Sequence, residues 1–313
     1  MRRLETVGVV GGGLVGSGWA IVFARAGRTV RLFDASAEIR AGALAGIRRS
    51  LADMQAFGLV GDVEAIARRI SVVDSLAEAV AEADYVQESV FERVDVKAAV
   101  SREIGAAIRD DAVVGSSSSG IPASAFTADV PRRERFLVAH PVNPPHLVPL
   151  VELVPAPWTD GAILPWLRQA MEELGQVPVV VNREIEGFVL NRLQGALLNE
   201  AWALYEAGLA SAADIDRTVA HGLGLRWSFM GPFETIDLNA PGGVDDYARR
   251  LGPLYHAVAQ ARRDPRPWSD DLVGRVTRER REALPAADLK ARSAWRDRRL
   301  MALVAHRRGQ PDR

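Results

Sequence analysis

The sequence contains no cysteine, and its only two lysines are Lys97 and Lys290. Without cysteine the chain can form no disulfide, no thiolate metal site and no thiol nucleophile. Its formal net charge is -1, so it also lacks the positive field that attracts nucleic acid or anionic membrane lipids. These absences favour small molecules as partners. They also predict a cytoplasmic protein, because a reducing compartment permits a fold without disulfides.

Apolar runs long enough to cross a membrane are missing as well. The segment MRRLETVGVVGGG at the N-terminus is interrupted by glycines, and it lacks the length and flanks of a signal peptide or a membrane span. We interpret it as the first strand of the fold. With 313 residues, 48% of them hydrophobic, the chain can form one large domain and one small domain.

Short β-branched segments alternate with longer Ala-rich amphipathic segments from Thr6 to about Val181. This alternation is typical of βαβ units and predicts a parallel sheet. The predicted strands are Thr6–Val10, Thr29–Phe33, Tyr85–Gln87, Val113–Gly115, Phe136–Ala139, Leu150–Val154 and Val177–Val181. The fold class is therefore α/β, with a Rossmann-type doubly wound parallel sheet.

The pattern becomes helical after Asn182. Apolar residues recur at helical spacing from Gly187, and Gly208 is a plausible end of that helix. No strand-like alternation follows, so we expect a smaller all-helical C-terminal domain. The predicted domains are residues 1–184 and 185–313, and the last segment, LKARSAWRDRRLMALVAHRR, is a charged amphipathic helix that packs on its domain or on a second subunit.

A glycine-rich turn follows the first predicted strand. Gly11, Gly13 and Gly16 form G-x-G-x-x-G, with Leu14 and Val15 between the last two glycines. The first glycine permits the tight turn, the second lets a pyrophosphate approach the backbone, and the third lets helix and strand pack closely. A lone match is weak, but the βαβ context makes a dinucleotide site the better interpretation.

Asp34, at the end of the second predicted strand, favours NAD over NADP. An acid at this point accepts a hydrogen bond from the ribose 2′-hydroxyl and repels a 2′-phosphate. The next two residues, Ala35 and Ser36, offer no arginine that would bind such a phosphate.

His140 and Glu152 are the candidates for acid–base chemistry. His140 ends the apolar run RFLVA, at the strand edge where α/β proteins bind ligands, and Glu152 lies within the apolar run PLVELV. A buried carboxylate needs a partner, and an imidazole would provide one. The histidine could then accept a proton while the carboxylate orients it, although a core histidine beside an edge glutamate explains the spacing equally well. His146 could pair with His140 on a metal, but no third ligand is evident, so no metal is expected.

Five segments, in this order and spacing, resemble the 3-hydroxyacyl-CoA dehydrogenase family over nearly the whole chain. They are GGGLVGSGWA, GSSSSGIPAS, AHPVNPPHLVPLVELVP, GFVLNRL and MGPFETIDLN. Within the family the sequence looks closest to the branch of L-gulonate 3-dehydrogenases, which includes lambda-crystallin. The resemblance implies a homodimer formed through the helical C-terminal domain, with substrate between the two domains.

The resemblance also implies roles for particular residues. It makes His140 the catalytic histidine with Glu152 as its partner, and it makes Ser119 and Asn191 catalytic residues that also bind substrate. The residues themselves suggest only a polar turn around Ser119 and an exposed helix residue at Asn191. Two further residues, Glu92 and Lys97, take the positions of a family acid and lysine beside the nicotinamide.

Two departures from the acyl-CoA branch favour a small free acid. The segment IRRSLADMQAFGLVGDVEAIARR has few basic residues for the phosphates of CoA, and Arg226 occurs in GLGLRWSFMGP, where it could clamp a substrate carboxylate. The alternative to this role is that Arg226 is a surface residue or forms an ion pair with Glu234 or Asp237. We expect NAD-dependent oxidation of a 3-hydroxy acid such as L-gulonate.

Three other functions stay open. They are L-carnitine dehydrogenation, with Trp227, Phe229 and Tyr205 around the cation, 3-hydroxyacyl-CoA oxidation, and a purely structural role of the crystallin kind.

Overall fold

The computed structural model describes residues 3–261 and 267–310. The chain divides into two compact units. Unit 1 comprises Met1–Arg192 and Arg292–Arg313, and unit 2 comprises Leu193–Ala291.

Unit 1 is built on one eight-stranded sheet with the order β3-β2-β1-β4-β5-β6-β7-β8. The strands are β1 (Thr6–Val10), β2 (Thr29–Phe33), β3 (Ile70–Val72), β4 (Tyr85–Glu88), β5 (Val113–Ser116), β6 (Phe136–Pro141), β7 (Leu150–Pro155) and β8 (Val177–Val180). All neighbouring strands are parallel except β6 and β7, which run antiparallel to each other. The order reverses beside β1, which is where doubly wound sheets bind ligands.

The predicted strands agree with the structure in position, and β1 and β2 agree in both bounds. Two features differ from the expectation. The short strand β3 was not predicted, and the sheet is not wholly parallel because β6 and β7 form an antiparallel pair. Only residues 142–149 join those two strands, and a connection so short cannot contain the helical crossover that a parallel pair needs.

Helices connect the strands of unit 1 and cover the sheet. They are α1 (Leu14–Arg25), α2 (Ala37–Ala56), α3 (Val63–Ala67), α4 (Leu76–Val80), α5 (Val94–Ala107), α6 (Ser124–Thr127), the 3-10 helix Arg133–Arg135, and α7 (Ile163–Glu173). Helix α1 is the most deeply buried, and its Trp19 and Phe23 stack with ring centroids 5.4 Å apart. That packing fixes the start of α1 at the carboxyl end of β1.

Unit 2 is helical throughout its described residues, as the sequence predicts. It contains most of α8 (Leu190–Glu206), then α9 (Ala212–Thr218), the π-helix Val219–Leu223, α10 (Gly224–Trp227), α11 (Pro232–Leu238), α12 (Gly243–Gln260), α13 (Asp270–Ala283) and the 3-10 helix Ala286–Asp288. Gly208 follows α8 with φ 68°, the left-handed conformation that ends helices. Of the described residues in this unit, only Thr235, Ala240 and Leu272 are buried.

The last helix, α14 (Leu289–Arg308), packs on unit 1. Met301 is buried in the cluster that contains Trp19 and Phe23, and Arg308 donates to the backbone oxygen of Leu59 at 2.9 Å. The sequence analysis assigned this helix to the C-terminal domain, because a helical pattern reveals an apolar face but not the surface that it covers. Within residues 3–261 and 267–310, no helix has the length and apolar character needed to span a membrane.

Candidate functional site

The glycine-rich turn lies at the carboxyl end of β1. Gly11 has φ 103°, and its N–H donates to the backbone oxygen of Phe33 at 2.8 Å. A Cβ on Gly16 would overlap the carbonyl oxygen of Gly11, so the third glycine is required for the turn to close on α1. A Cβ on Gly13 would meet nothing within 4 Å, which leaves open space before the N-terminus of α1. Such a cradle fits the pyrophosphate of a dinucleotide.

Asp34 lies next to this turn. Its Oδ2 accepts from the N–H of Gly12 at 2.7 Å, and its Oδ1 accepts from the N–H of Ser36 at 2.8 Å. Arg40, four residues after Ser36, donates to the backbone oxygen of Asp34 at 2.8 Å. This arginine therefore supports the turn that carries Asp34.

The two residues between the second and third glycines face different surroundings. Leu14 is 83% exposed at the start of α1, whereas Val15 packs against the hydrophobic core.

His140 and Glu152 face each other across the antiparallel strands β6 and β7. His140 Nδ1 lies 2.8 Å from Glu152 Oε2, and both side chains are buried. A carboxylate can only accept, so this contact places the proton on Nδ1 and leaves the lone pair on Nε2. A histidine held in this tautomer can accept a proton at Nε2.

Glu152 also holds the start of α8. Its Oε1 accepts from the N–H groups of Val189 and Leu190 at 2.8 and 2.9 Å. Burial alone would raise the pKa of Glu152, but the hydrogen bonds from His140, Leu190 and Val189 lower it below its usual value. The carboxylate is therefore ionised near neutral pH. Its stabilising contribution is present above the ordinary pKa of 4.5 and is lost as the pH falls through the lower, folded-state pKa.

Ser119 and Asn191 line one cavity of 570 Å³. The amide nitrogen of Asn191 donates to the backbone oxygen of Ser119, which joins the start of α8 to the loop after β5. The full lining consists of Glu92, Ser119, Gly120, Ile121, Pro122, Glu186, Gly187 and Asn191. His140 and Glu152 stand outside this lining and connect to it through Val189 and Leu190, the two residues before Asn191.

Glu92 and Lys97 lie together at the same edge of the sheet. Lys97 Nζ is 3.5 Å from Glu92 Oε2, and Glu92 Oε1 accepts from the N–H of Ser119 at 2.8 Å. Burial would raise the pKa of Glu92, but the positive charge of Lys97 and the hydrogen bonds from Ser118, Ser119 and Gly120 lower it. Lys97 itself is completely buried.

Two further candidate residues have surroundings of their own. Arg226 belongs to α10 of unit 2, where its side chain is exposed. His146 belongs to unit 1, and burial together with the positive charge of Arg25 lowers its pKa to about 4. The described part of the chain contains no group of three histidine, aspartate or glutamate residues that could hold a metal ion.

Sequence reasoning missed Glu88. This residue ends β4, is 1% exposed, and contacts Lys97 Nζ at 3.1 and 3.2 Å. Part of the signal was present, because Glu88 ends a strand that contains Tyr85 and Val86, but Gln87 interrupts the apolar run, unlike the run around Glu152.

Comparison with known proteins matches both parts of the chain to domains of one family. The family model described as 3-hydroxyacyl-CoA dehydrogenase, NAD binding domain, matches residues 6–185, and the model of the C-terminal domain of the same family matches residues 187–282. The cofactor is therefore NAD, as Asp34 predicts.

Individual relatives extend over nearly the whole chain. Rabbit (Oryctolagus cuniculus) lambda-crystallin is 38% identical over 96% of this chain and 95% of its own length. The L-carnitine dehydrogenase of Pseudomonas aeruginosa is 33% identical over 97% of this chain and 94% of its own. A solved structure of 5-formyl-3-hydroxy-2-methylpyridine 4-carboxylic acid 5-dehydrogenase, an NAD-dependent dismutase, matches with TM-score 0.84 and 28% identity over 99% of this chain and 100% of that chain.

The open space before α1 leads to a prediction about Gly13. Gly13→Ala should leave the melting temperature unchanged, because its φ of -65° suits alanine and the added methyl group meets nothing. The same methyl group should hold the pyrophosphate away from the backbone N–H groups and weaken NAD binding about tenfold or more, the value of one charge-assisted hydrogen bond. Titration of NADH fluorescence gives the dissociation constant.

Two other glycines serve as controls for this experiment. Gly16→Ala should lower both the melting temperature and the affinity. Gly42→Ala, in the interior of α2 with open space around it, should leave the affinity unchanged and raise the melting temperature slightly, because alanine favours the helix. Wild-type NAD affinity in Gly13→Ala would contradict the placement of the pyrophosphate.

Proposed function

Because the chain belongs to the 3-hydroxyacyl-CoA dehydrogenase family, we propose that it oxidises the 3-hydroxyl group of a small 3-hydroxy acid. L-Gulonate, oxidised to 3-dehydro-L-gulonate, is the leading candidate. The observation that carries the proposal is the 2.8 Å contact between His140 Nδ1 and Glu152 Oε2. It leaves a neutral Nε2 that can take the proton of a secondary alcohol.

The residues of unit 1 have distinct roles in this proposal. His140 accepts the hydroxyl proton at Nε2, and Glu152 keeps the ring in the required tautomer and stabilises the imidazolium that forms. Ser119 and Asn191 bind the substrate oxygen. Bound NAD supplies the hydride acceptor.

Several residues would hold that cofactor. Gly11, Gly13, Leu14, Val15 and Gly16 form the turn and the helix start that receive the pyrophosphate, and Asp34 accepts from the ribose. Glu92 and Lys97 are proposed for the nicotinamide side on the basis of the family pattern, with the buried Lys97 acting through Glu92.

The segment of residues 47–69 supports a free acid over an acyl-CoA. The segment has no lysine, and two of its four arginines already have partners in the structure. Arg48 Nε lies 3.1 Å from Glu64 Oε1, and Arg69 donates to the backbone oxygen of Gly27 at 3.1 Å. A lysine-rich surface for the phosphates of CoA is therefore missing from this described segment.

L-Carnitine is the second candidate, because a carnitine dehydrogenase is among the relatives. Its trimethylammonium group would need exposed aromatic faces. In unit 2 the guanidinium carbon of Arg275 lies 5.9 Å from the ring centroid of Tyr205, so one of the three proposed rings already faces a cation. This contact favours the anionic substrate.

The proposed homodimer forms through unit 2. Leu209, Leu225, Phe229, Phe233 and Leu238 are between 63% and 78% exposed, in a unit whose described residues include only three buried ones. We propose that these side chains belong to one apolar surface, which a second copy of the chain covers.

Light scattering during size-exclusion chromatography should give twice the mass of the chain. Phe233→Glu, in unit 2, should yield monomers because it places a charge within the apolar surface. Val177→Glu, at an exposed apolar site of unit 1, should stay dimeric. A monomeric wild-type protein at all concentrations would exclude the dimer.

Replacing the proposed base tests the function directly. His140→Asn should lower kcat by about 10²–10⁴-fold, the typical worth of general-base assistance, while the dissociation constant of NADH stays unchanged. Glu152→Gln should act in the same direction. NADH absorbance with L-gulonate, L-carnitine and 3-hydroxybutyryl-CoA identifies the substrate and measures these effects.

His256→Asn, at an exposed histidine of unit 2, is the control and should keep full activity. If His140→Asn turned over the best substrate as fast as the wild type, His140 would not be the base. If no member of the panel were oxidised, the substrate assignment would fail.

Arg226 is proposed as the clamp for the substrate carboxylate. Arg226→Met should raise KM for the free acid about tenfold or more, since a hydrogen bond to a charged group is worth about 1.5–3 kcal/mol, and should leave NAD affinity unchanged. Arg217→Met is the matched control, because Arg217 is an exposed arginine of the same unit paired with Asp214 at 2.7 Å. Equal KM values in the two variants would show that Arg226 does not bind the substrate.

A further inference from the structure

A buried ion pair lies behind the cavity that contains Ser119 and Asn191. Lys97 Nζ is 3.1 Å from Glu88 Oε1 and 3.2 Å from Glu88 Oε2, and both residues are at most 1% exposed. Ser116 also donates to Glu88 Oε2, at 2.5 Å. Buried ion pairs are costly to desolvate, and well-packed apolar residues often replace them without loss of stability. The stability of the fold alone therefore gives little reason for this pair.

Lys97 connects the pair to the wall of the cavity. Its ammonium group is 3.5 Å from Glu92 Oε2, so one cation serves two carboxylates. Lys97 is completely buried, which prevents it from touching a bound molecule. Its effect on the reaction must act through Glu92.

Glu92 in turn fixes the loop after β5. Its Oε1 accepts from the N–H groups of Ser119 and Gly120 at 2.8 and 3.2 Å, and it lies 2.9 Å from Ser118 Oγ. The backbone oxygen of Ser119 then accepts from the side chain of Asn191. The contacts thus run without a break from the end of β4 to the start of α8.

We propose that Glu88 is a positioning residue that acts through Lys97 and Glu92 on the loop carrying Ser119 and on Asn191. Glu88 holds the ammonium group at a fixed point, and this keeps Lys97 from drawing Glu92 away from the N–H groups of Ser119 and Gly120. The inference rests on the proposed function, because it takes Ser119 and Asn191 to be residues that bind the substrate. It assigns to Glu88 an effect on the loop that binds the substrate, in addition to the nicotinamide-side role proposed for Glu92 and Lys97.

Glu88→Gln tests the proposal, because the amide keeps the shape of the side chain and removes its charge. We expect kcat/KM for the hydroxy acid to fall about tenfold to a hundredfold, as for a displacement of about 1 Å at a reacting centre. The dissociation constant of NADH should change less than kcat/KM, because the substitution does not touch the glycine-rich turn or Asp34, which hold the rest of the cofactor. Hydrogen–deuterium exchange of a peptide covering residues 117–122 should become faster, and this second readout needs no substrate.

Asp84→Asn is the matched control. Asp84 precedes the same strand, pairs with Arg109 at 2.9 Å, and accepts from the N–H of Thr6 at 2.9 Å, at the end opposite Glu88. This variant should lose stability while keeping wild-type kcat/KM and wild-type exchange at residues 117–122. The comparison separates positioning from a general loss of packing.

The double variant Glu88→Gln/Lys97→Met covers the case in which Glu88→Gln does not fold. Removing both charges leaves neither Glu88 nor Lys97 as an unpaired buried ion, and Glu92 keeps its hydrogen bonds from Ser118, Ser119 and Gly120, so the melting temperature should stay close to that of the wild type. A fall in kcat/KM for the acid that exceeds any loss of NADH affinity would support the proposal. Wild-type kcat/KM together with wild-type exchange at residues 117–122 in a folded variant would overturn it.

Failure of the proposed function gives a different pattern. In that case the wild-type protein would oxidise no member of the substrate panel, and the exchange rates at residues 117–122 in Glu88→Gln and Asp84→Asn would still decide the role of Glu88.

Discussion

The carboxylate of Glu152 satisfies three hydrogen-bond donors in the interior of unit 1, and the geometry of the proposed site depends on it. One oxygen faces His140 across the β6–β7 pair, and the other accepts from the two N–H groups that begin α8. A carboxylate buried this deeply is stable only when hydrogen-bond donors occupy both of its oxygens. The same contacts therefore fix the tautomer of the histidine and the position at which Asn191 enters the cavity.

A second acid at the same sheet edge acts on Asn191 from the other side. Glu92 holds the N–H groups of Ser119 and Gly120, and Ser119 accepts from Asn191. Asn191 thus lies where two acid-centred networks meet, one from β7 and one from the end of β4. Both networks use ionised carboxylates whose pKa values are lowered by nearby donors and, for Glu92, by Lys97. The site is consequently held by electrostatic contacts between loops and strand ends, with the apolar core lying behind them.

The sequence was sufficient to predict the turn of Gly11, Gly13 and Gly16, because Gly11 and Gly16 answer steric requirements of one local motif and Gly13 leaves open space in front of it. It also indicated that His140 and Glu152 are partners, since an apolar strand cannot hold a lone carboxylate. The antiparallel direction of β7 could not be predicted from the residues of β7 itself, because strand residues alternate in the same way in either direction. The loop of residues 142–149 carried that information in its length.

Other features lay outside what local patterns can reveal. The strand β3 has only three residues, too few for a periodic signal, and Ser71 at its centre is exposed. The charged helix α14 shows one apolar face, but nothing in its sequence identifies the core around Trp19 as the surface that Met301 enters. A partner for Glu88 could have been predicted by the argument already applied to Glu152, namely that a carboxylate in a buried strand needs a partner.

The proposed chemistry depends on one structural feature. Glu152 holds His140 with its proton on Nδ1 and a free lone pair on Nε2. Nitrogen-15 NMR of histidine-labelled protein tests it most directly, with the His140 signals assigned by comparison with His140→Asn. At a pH where the ring is neutral, we predict a protonated Nδ1 and an unprotonated Nε2, and we predict that this tautomer is lost in Glu152→Gln. A wild-type spectrum with the proton on Nε2 would contradict the account, because the nitrogen assigned to accept the substrate proton would already carry one.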